Sequence, residues 1–254
     1  VSTLSILILT KNEQDNIVDV IRNAFQCADE VIIIDSGSTD NTVKLAEKEG
    51  AAVCYRAWDN DFAAQRNFGL TQTAADWVLY LDADERMDDI LCREIKNIVY
   101  KNEIGQYGFT RHMVFNEYRF KHGIFAPDIV YRMFHRKSVK WIGKVHERPV
   151  CEAPLKKLKG KVDHYTYKNW HQWFLKADQY TTIWAQERYQ NKKHISLKNV
   201  VFHSFFGGVR AFFVKMAFLD GWMGVISCNQ HAFYTMLKYV KLYELQVNHE
   251  KGEK

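Results

Sequence analysis

With 254 residues, 47% of them hydrophobic and 26% charged, the chain can bury one large core, or a domain of about 150 residues plus an appendage, and it is too apolar to be disordered. A formal net charge of +5 and the lack of any nucleic-acid-binding motif argue against a nucleic-acid partner. Five cysteines, an odd number with no CxxC pair, suggest reduced thiols rather than a disulfide framework or a zinc cage.

In chain order, apolar runs rich in β-branched residues alternate with amphipathic stretches. The pattern predicts strands at 4–9, 31–34, 52–55 and 77–81 and helices at 14–25, 41–49, 63–73 and 88–100, the rhythm of a parallel α/β sheet. After Gly105, alternating aromatic and polar residues (Tyr107, Phe109, Met113, Phe115) and the run 130–134 read as antiparallel strands. From Asn169 the apolar positions Trp170, Trp173, Phe174, Ala177, Tyr180, Thr181, Trp184 and Ala185 recur at three and four, which is an amphipathic helix, and a second helical region covers about 197–245. The expected organisation is a catalytic domain over 1–165, with a nucleotide-sugar part at 1–104 and an acceptor-side part at 105–165, followed by a helical C-terminal extension over 166–254.

Ligands of open α/β sheets sit at the carboxyl ends of the strands, and three predicted strands end in polar clusters there. Ile34-Asp35-Ser36-Gly37-Ser38-Thr39-Asp40 sets a carboxylate and free backbone amides where a nucleoside can meet them, although Asp40 also suits a helix N-cap. Leu81-Asp82-Ala83-Asp84-Glu85 puts two carboxylates at alternate positions beyond an apolar strand. Such hard oxygen ligands suit Mg2+ or Mn2+ and leave coordination places for a diphosphate.

Taken in order, Thr10-Lys11-Asn12-Glu13, the Asp35 to Asp40 segment, Gln65-Arg66-Asn67 and Leu81 to Glu85 resemble glycosyltransferase family 2. The resemblance implies an α/β GT-A fold, a mixed nucleotide-binding sheet flanked by helices. It also implies a nucleotide diphosphate sugar donor, a divalent cation (Mg2+ or Mn2+) and inversion at the anomeric carbon. By the same resemblance Asp35 contacts the base, and Thr10, Asn12, Glu13, Ser36, Gly37 and Ser38 line the nucleoside pocket. Asp82 lies near the ribose, Ala83 is among the residues that bind the nucleotide sugar, Asp84 binds the metal that bridges the diphosphate, and Arg66 lies near the nucleotide.

Tyr131 to Arg136 and Trp141 to Arg148, with Leu219-Asp220-Gly221-Trp222 and Lys238-Tyr239-Val240-Lys241, are similar to the lipopolysaccharide core glucosyltransferase branch. That similarity implies UDP-glucose as donor and a lipopolysaccharide core or other lipid-linked acceptor. Another cell-surface glycan or a peptide is the alternative acceptor.

A single displacement needs a base for the acceptor hydroxyl. Glu147 is the first choice and Asp128 the second, while an ion pair of Glu147 with Arg148 or Lys144 is the structural alternative. Arg132, His135 and Arg136 could grip a diphosphate or an acidic acceptor, or equally form one solvated strand face. His146 is placed among the binding residues, though a lone histidine is more often a structural hydrogen bonder.

Lysines thicken in the second half (Lys156, Lys157, Lys159, Lys161, Lys192, Lys193, Lys238, Lys241), which suits an anionic surface or phosphorylated partner. The aromatic residues Phe205, Phe206, Phe212, Phe213, Phe218 and Trp222, interleaved with Arg210 and Lys215, have the composition of an interfacial helix, or of a surface packed on the catalytic domain or in a homo-oligomer. Without a signal-like start or an uninterrupted apolar span, the expectation is a cytoplasmic protein, peripheral on the inner face of the membrane. Three rivals fit less well. A sugar nucleotidyltransferase would need a glycine-rich loop where this chain has Thr10 to Glu13, a DxD phosphatase would carry its acids after the first strand, and an inactive membrane scaffold has no need of Asp82, Asp84 and Glu147.

Overall fold

The run from Leu4 to Thr10 is apolar on both faces, a pattern that only a strand covered on both sides can bury. It forms β1 (Leu4–Thr10) of the computed structural model, which describes residues 2–144, 147–191 and 194–252. The chain continues through α1 (Ile17–Ala24), β2 (Glu30–Asp35), α2 (Thr42–Lys48), β3 (Ala52–Tyr55), α3 (Phe62–Thr71), β4 (Trp77–Asp82), β5 (Glu85–Met87), α4 (Asp89–Lys101) and β6 (Gln106–Phe115). Then come β7 (Tyr118–Arg119), β8 (Asp128–His135), β9 (Lys140–Ile142), β10 (Arg148–Val150), β11 (Leu155–His164), α5 (Trp170–Gln190), α6 (Leu197–Val209) and α7 (Gly221–Gly252). Contacts divide the chain into two units, Val1–Arg111 with Asp128–His164, and His112–Pro127 with Tyr165–Lys254.

In the first unit the strands run in the order β3-β2-β1-β4-β8-β6-β11-β5, parallel from β3 to β4, with β8 antiparallel to β4 and to β6. This is the mixed α/β sheet flanked by helices that the sequence implied. Helices cover it because their apolar residues fall at helical spacing: α1 buries Ile17, Val20, Ile21 and Ala24, and α4 buries Leu91, Cys92, Ile95, Ile98 and Val99. Asp61 and Asp88 cap α3 and α4 by accepting from the amides of Ala64 and Leu91, each at 2.8 Å. Leu4, Ile6, Leu7 and Ile8 are fully buried, each worth about 1.5–3 kcal/mol, so β1 is a rigid floor under whatever stands at its carboxyl end.

The lysine-rich segment near 156–161 is a strand as well as a basic surface. In β11 Leu158, Gly160 and Val162 point inward and the lysines between them outward, so a charged face hid the period-two pattern. Gly160 is required by a close approach, because a Cβ there would sit 2.3 Å from the backbone N and Cα of Leu91 in α4.

The second unit is built on rings. Phe115, Phe120 and Trp173 form its fully buried centre, with Trp170 and Tyr167 stacked on Trp173 at 5.0 Å. α5 buries Trp173, Ala177, Thr181 and Ala185, one side of the stripe expected from Asn169 onward. The helical region expected over 197–245 is two helices. A short π-helical turn (Arg210–Val214) follows α6, and Met216 at φ +56° and Gly221 at φ +58° turn the chain into α7. All five cysteines are free thiols.

Gly160→Ala should lower the thermal midpoint by roughly 4–8 °C, about 2 kcal/mol of overpacking against a backbone that cannot yield. Differential scanning calorimetry checks this, and an unchanged midpoint would contradict the close approach of α4 and β11.

Candidate functional site

Register decides what stands at the carboxyl edge of the parallel strands. Thr10 pairs with Asp35, Asp35 with Tyr55, and Leu9 with Asp82, so the polar ends form one row. Because β8 is antiparallel to β4, its beginning lies toward this same edge and brings Asp128 and Arg132 with it. Asp128 is opposite Arg111 of β6, and His164, the last residue of β11, is opposite Glu85.

Acids and guanidiniums alternate along this edge. Glu85, with no exposed surface, receives Arg132 Nη1 at 2.9 Å and Arg111 Nη1 at 3.3 Å. Arg132 Nη1 also meets Asp82 at 2.9 Å, Arg66 Nη2 lies 3.5 Å from Asp82 and 3.2 Å from Glu147, and Arg111 reaches Asp128 at 2.8 Å. Burial alone would raise the pKa of Asp82, but the charges of Arg132 and Arg66 outweigh it and hold this carboxyl well below the usual carboxylate range. The turn between Asp82 and Glu85 is held from within: the Asp82 amide donates to Glu85 Oε2 at 3.0 Å and Arg86 donates to the Ala83 carbonyl at 2.8 Å.

Gln65-Arg66-Asn67 sorts into three jobs. Gln65 Nε2 donates to the Arg56 carbonyl at 3.0 Å and fixes the loop before α3, while Asn67 exchanges hydrogen bonds of 2.8 and 2.9 Å with the Trp141 backbone and fixes β9. Arg66 between them faces the acids, its guanidinium 4.8 Å from the Trp141 ring and 5.4 Å from that of Tyr80. Both bonds that Arg66 gives to Glu147 end on Oε1.

Asp84 stands apart from this chain, half-buried, with His164 Nε2 3.3 Å from its Oδ2. Burial works to lower the His164 pKa, and the Asp84 hydrogen bond with the charges of Asp84 and Glu85 overcomes it, so the imidazole is raised above its ordinary value. Once the imidazole gives up its proton, an oxygen and a nitrogen donor side by side could hold Mg2+ or Mn2+. Among the described residues no cluster of three metal-capable side chains occurs, so ligand oxygens or water would complete the shell.

Beyond β1 and β2 lies a cleft of about 260 Å3 lined by Leu9, Thr10, Lys11, Glu13, Ser36, Trp58 and Phe62. Trp58 and Phe62 meet edge to face at 4.6 Å and offer an aromatic wall of a kind that bases stack on. Its other wall is a stapled double loop. The Asn12 amide donates to Ser38 Oγ at 2.9 Å, the Thr39 amide to Asn12 Oδ1 at 2.8 Å and the Glu13 amide to Thr42 Oγ1 at 2.8 Å. Asp35 is buried, and its Oδ2 accepts from the amides of Gly37 and Ser38 at 2.8 and 2.9 Å while Oδ1 accepts from the Ser38 hydroxyl. Gly37, at φ +94°, makes that turn possible. Asp40 accepts from the Thr42 amide at 2.9 Å in a turn just before α2, whose N-cap is Asn41 and not Asp40 as its position suggested.

Thr10, Asn12, Glu13, Asp35, Ser36, Gly37 and Ser38 therefore gather around the cleft, and Arg66, Asp82, Ala83, Asp84, Asp128, Arg132 and Glu147 gather around the acid row. His146 lies outside the described residues. Arg136 and His135 are not brought to this edge: Arg136 Nε donates to the Ala75 carbonyl and His135 packs on Trp77, about 16 Å away along β4. Sequence reading missed Glu85 as a hub, Arg111, His164, Trp58 and Phe62. The carboxylate directly after Asp84 was a visible signal for the first; the others are joined only by tertiary pairing.

Comparison with known proteins shows which family the chain is related to. A family model described as Glycosyl transferase family 2 matches residues 5–216. An uncharacterized glycosyltransferase of Rickettsia typhi is 28% identical over 257 residues, 96% of this chain and 88% of that protein. The lipopolysaccharide core biosynthesis glycosyltransferase LpsC of Rhizobium meliloti is 27% identical over 256 residues, 95% of this chain and 92% of that one. Among solved structures, glucosyl-3-phosphoglycerate synthase from Mycobacterium tuberculosis in complex with Mn2+, uridine diphosphate and phosphoglyceric acid superposes with a TM-score of 0.38 at 23% identity, over 45% of this chain and 44% of that one.

Glu85→Gln leaves Arg132 and Arg111 without their shared charge and should cost about 3 kcal/mol of stability. Urea unfolding should show a lower midpoint at unchanged slope; equal midpoints would mean that Glu85 is not the hub of the row.

Proposed function

The chain belongs to glycosyl transferase family 2, and on that premise we propose that it is an inverting hexosyltransferase using a UDP-sugar donor, UDP-glucose in the first instance, with a lipopolysaccharide core hydroxyl as acceptor. The observation that carries the reading is that Arg66 joins Asp82 to Glu147 at the carboxyl edge of the parallel strands, beside an aromatic-walled cleft, with Asp84 two residues beyond Asp82 against His164. The acceptor class rests on the likeness to LpsC, which spans 95% of this chain.

In this reading the nucleoside enters between the stapled loops and Trp58 and Phe62. Asp35 acts chiefly through its turn, since its oxygens already hold the amides of Gly37 and Ser38 and the Ser38 hydroxyl, and it thereby shapes the pocket that Thr10, Asn12, Glu13 and Ser36 line. The diphosphate lies toward Asp84 and His164.

Charge supports a metal requirement. Along the row, five carboxylates (Asp82, Asp84, Glu85, Asp128, Glu147) face three guanidiniums (Arg66, Arg111, Arg132) and one imidazole (His164) among the described residues. A diphosphate brought here without a cation meets a surplus of negative charge. Asp84 and His164 fit as the protein donors to Mg2+ or Mn2+, which when bound would neutralise charge building on the departing diphosphate.

Transfer itself is one displacement. The acceptor oxygen forms its bond to the anomeric carbon, the bond from that carbon to the diphosphate oxygen breaks with its electron pair leaving on UDP, and the acceptor proton passes to Glu147. Glu147 suits this role because Arg66 grips only Oε1 and leaves Oε2 for the hydroxyl. Asp128 suits it less, being half exposed and closely paired with Arg111.

Glu147→Gln should lower kcat about a hundredfold or more while the affinity for UDP stays within about twofold, since a base acts on the chemical step and not on donor binding. Transfer from UDP-glucose to isolated core oligosaccharide, followed by mass spectrometry, gives the first quantity and UDP titration the second. Full activity in the variant would transfer the base role elsewhere, and failure of every UDP-sugar would refute the donor assignment.

A further inference from the structure

Eleven large apolar side chains between Leu197 and Trp222 are exposed, at positions 197, 201, 202, 205, 206, 213, 214, 216, 218, 219 and 222. On α6 they share one face, for Leu197, Val201, Phe202, Phe205 and Phe206 follow helical spacing and line a common groove with Lys198. At the turn into α7, Val214 is 72% and Trp222 82% exposed, values that a folded chain rarely tolerates for so many neighbouring residues.

The charges around this face have one sign. From Leu197 to Tyr243 the sequence holds a single acid, Asp220, and that residue is buried. Its Oδ2 accepts from the amides of Lys121 and His122 at 3.0 and 2.9 Å and its Oδ1 meets His122 Nδ1 at 2.9 Å, so its charge is spent inside the second unit. Lys198, Arg210 and Lys215 remain exposed along the apolar face and are not ion-paired among the described residues.

The bend is also built rather than frayed. Besides the Asp220 contacts, the Gly123 amide donates to the Lys215 carbonyl at 2.8 Å and the Tyr118 hydroxyl to the Asp220 carbonyl at 2.9 Å. Gly224 packs so tightly that a Cβ there would collide with the Ala217 carbonyl. Among the described residues no single helix is long and apolar enough to cross a membrane; 197–214 and 217–248 reach that composition only together, with a 71° bend between them.

We propose that α6 and the bend after it form an interfacial membrane-docking element, lying in the plane of an anionic bilayer with the phenylalanines and Trp222 in the acyl boundary and Lys198, Arg210 and Lys215 at the headgroups. Flat insertion explains both the stripe and the cations at its margins, since long basic side chains reach back to phosphates from an interfacial helix. Lys215 at the bend argues against deeper burial. A second copy of this chain would also cover apolar surface but would set these cations against themselves, so the anionic surface is the better occupant. The inference stands on the second unit alone and does not depend on the donor or acceptor proposed above.

The test is flotation of the full-length protein with vesicles of phosphatidylcholine alone or mixed with phosphatidylglycerol, beside sedimentation velocity of the free protein. The mixed vesicles should bind at least about tenfold more protein, Phe213→Ser with Trp222→Ser should reduce that binding about tenfold, and Arg210→Glu with Lys215→Glu should abolish the preference for anionic lipid. All of these residues are exposed, so thermal midpoints should match wild type. Equal binding to both vesicle types, binding indifferent to the double variants, or a stable dimer that Trp222→Ser dissolves would each overturn the proposal.

Discussion

Burying an ionised group costs heavily unless an opposite charge or several hydrogen bonds stand beside it, and the part of the sheet's carboxyl edge around β4 and β8 meets that constraint with opposite charges. Glu85, Arg132, Asp82, Arg66 and Glu147 form one alternating row, extended at the Glu85 end by Arg111 and Asp128. The row depends on strand order. Placing β8 antiparallel against β4 aims Arg132 at the acids of the β4 end, and the reciprocal bonds between Asn67 and Trp141 hold α3 so that Arg66 bridges Asp82 and Glu147. Glycosyl transferase family 2 membership and the proposed donor thus meet at one point, since an anionic donor received here would face a site already rich in carboxylates.

Much of this was legible because strand ends are conspicuous in sequence. Three isoleucines before Asp35 and the apolar run before Asp82 mark buried strands that stop at acids, and the parallel order then puts Thr10, Asp35 and Asp82 in one row. What stayed hidden depends on tertiary pairing. His164 ends a strand whose outward lysines read as a basic surface, and only the antiparallel match of β11 with β5 brings it near Asp84. Arg111 sits in a strand that reads as ordinary, and although Arg132 and Arg136 are both candidates in sequence, nothing local distinguishes Arg132, which enters the row, from Arg136, which caps the far end of β4.

Asp35 is tied into its own turn. Its oxygens hold the following turn and Ser38, whose hydroxyl oxygen in turn accepts from the Asn12 amide and staples the neighbouring loop into the same wall of the cleft. The pocket wall is shaped by that chain of hydrogen bonds. The second unit follows a different logic, with a buried aromatic centre around Trp173 and a separate exposed aromatic stripe on α6.

The central claim is that donor diphosphate and divalent cation enter together through Asp84. Calorimetric titration of UDP into the wild-type protein and into Asp84→Ala, each with and without Mn2+, tests it most directly. The account predicts tight binding only for wild type with Mn2+, weakened about tenfold or more by removing either the metal or the carboxylate. Binding equally tight without Mn2+ and in Asp84→Ala would contradict it.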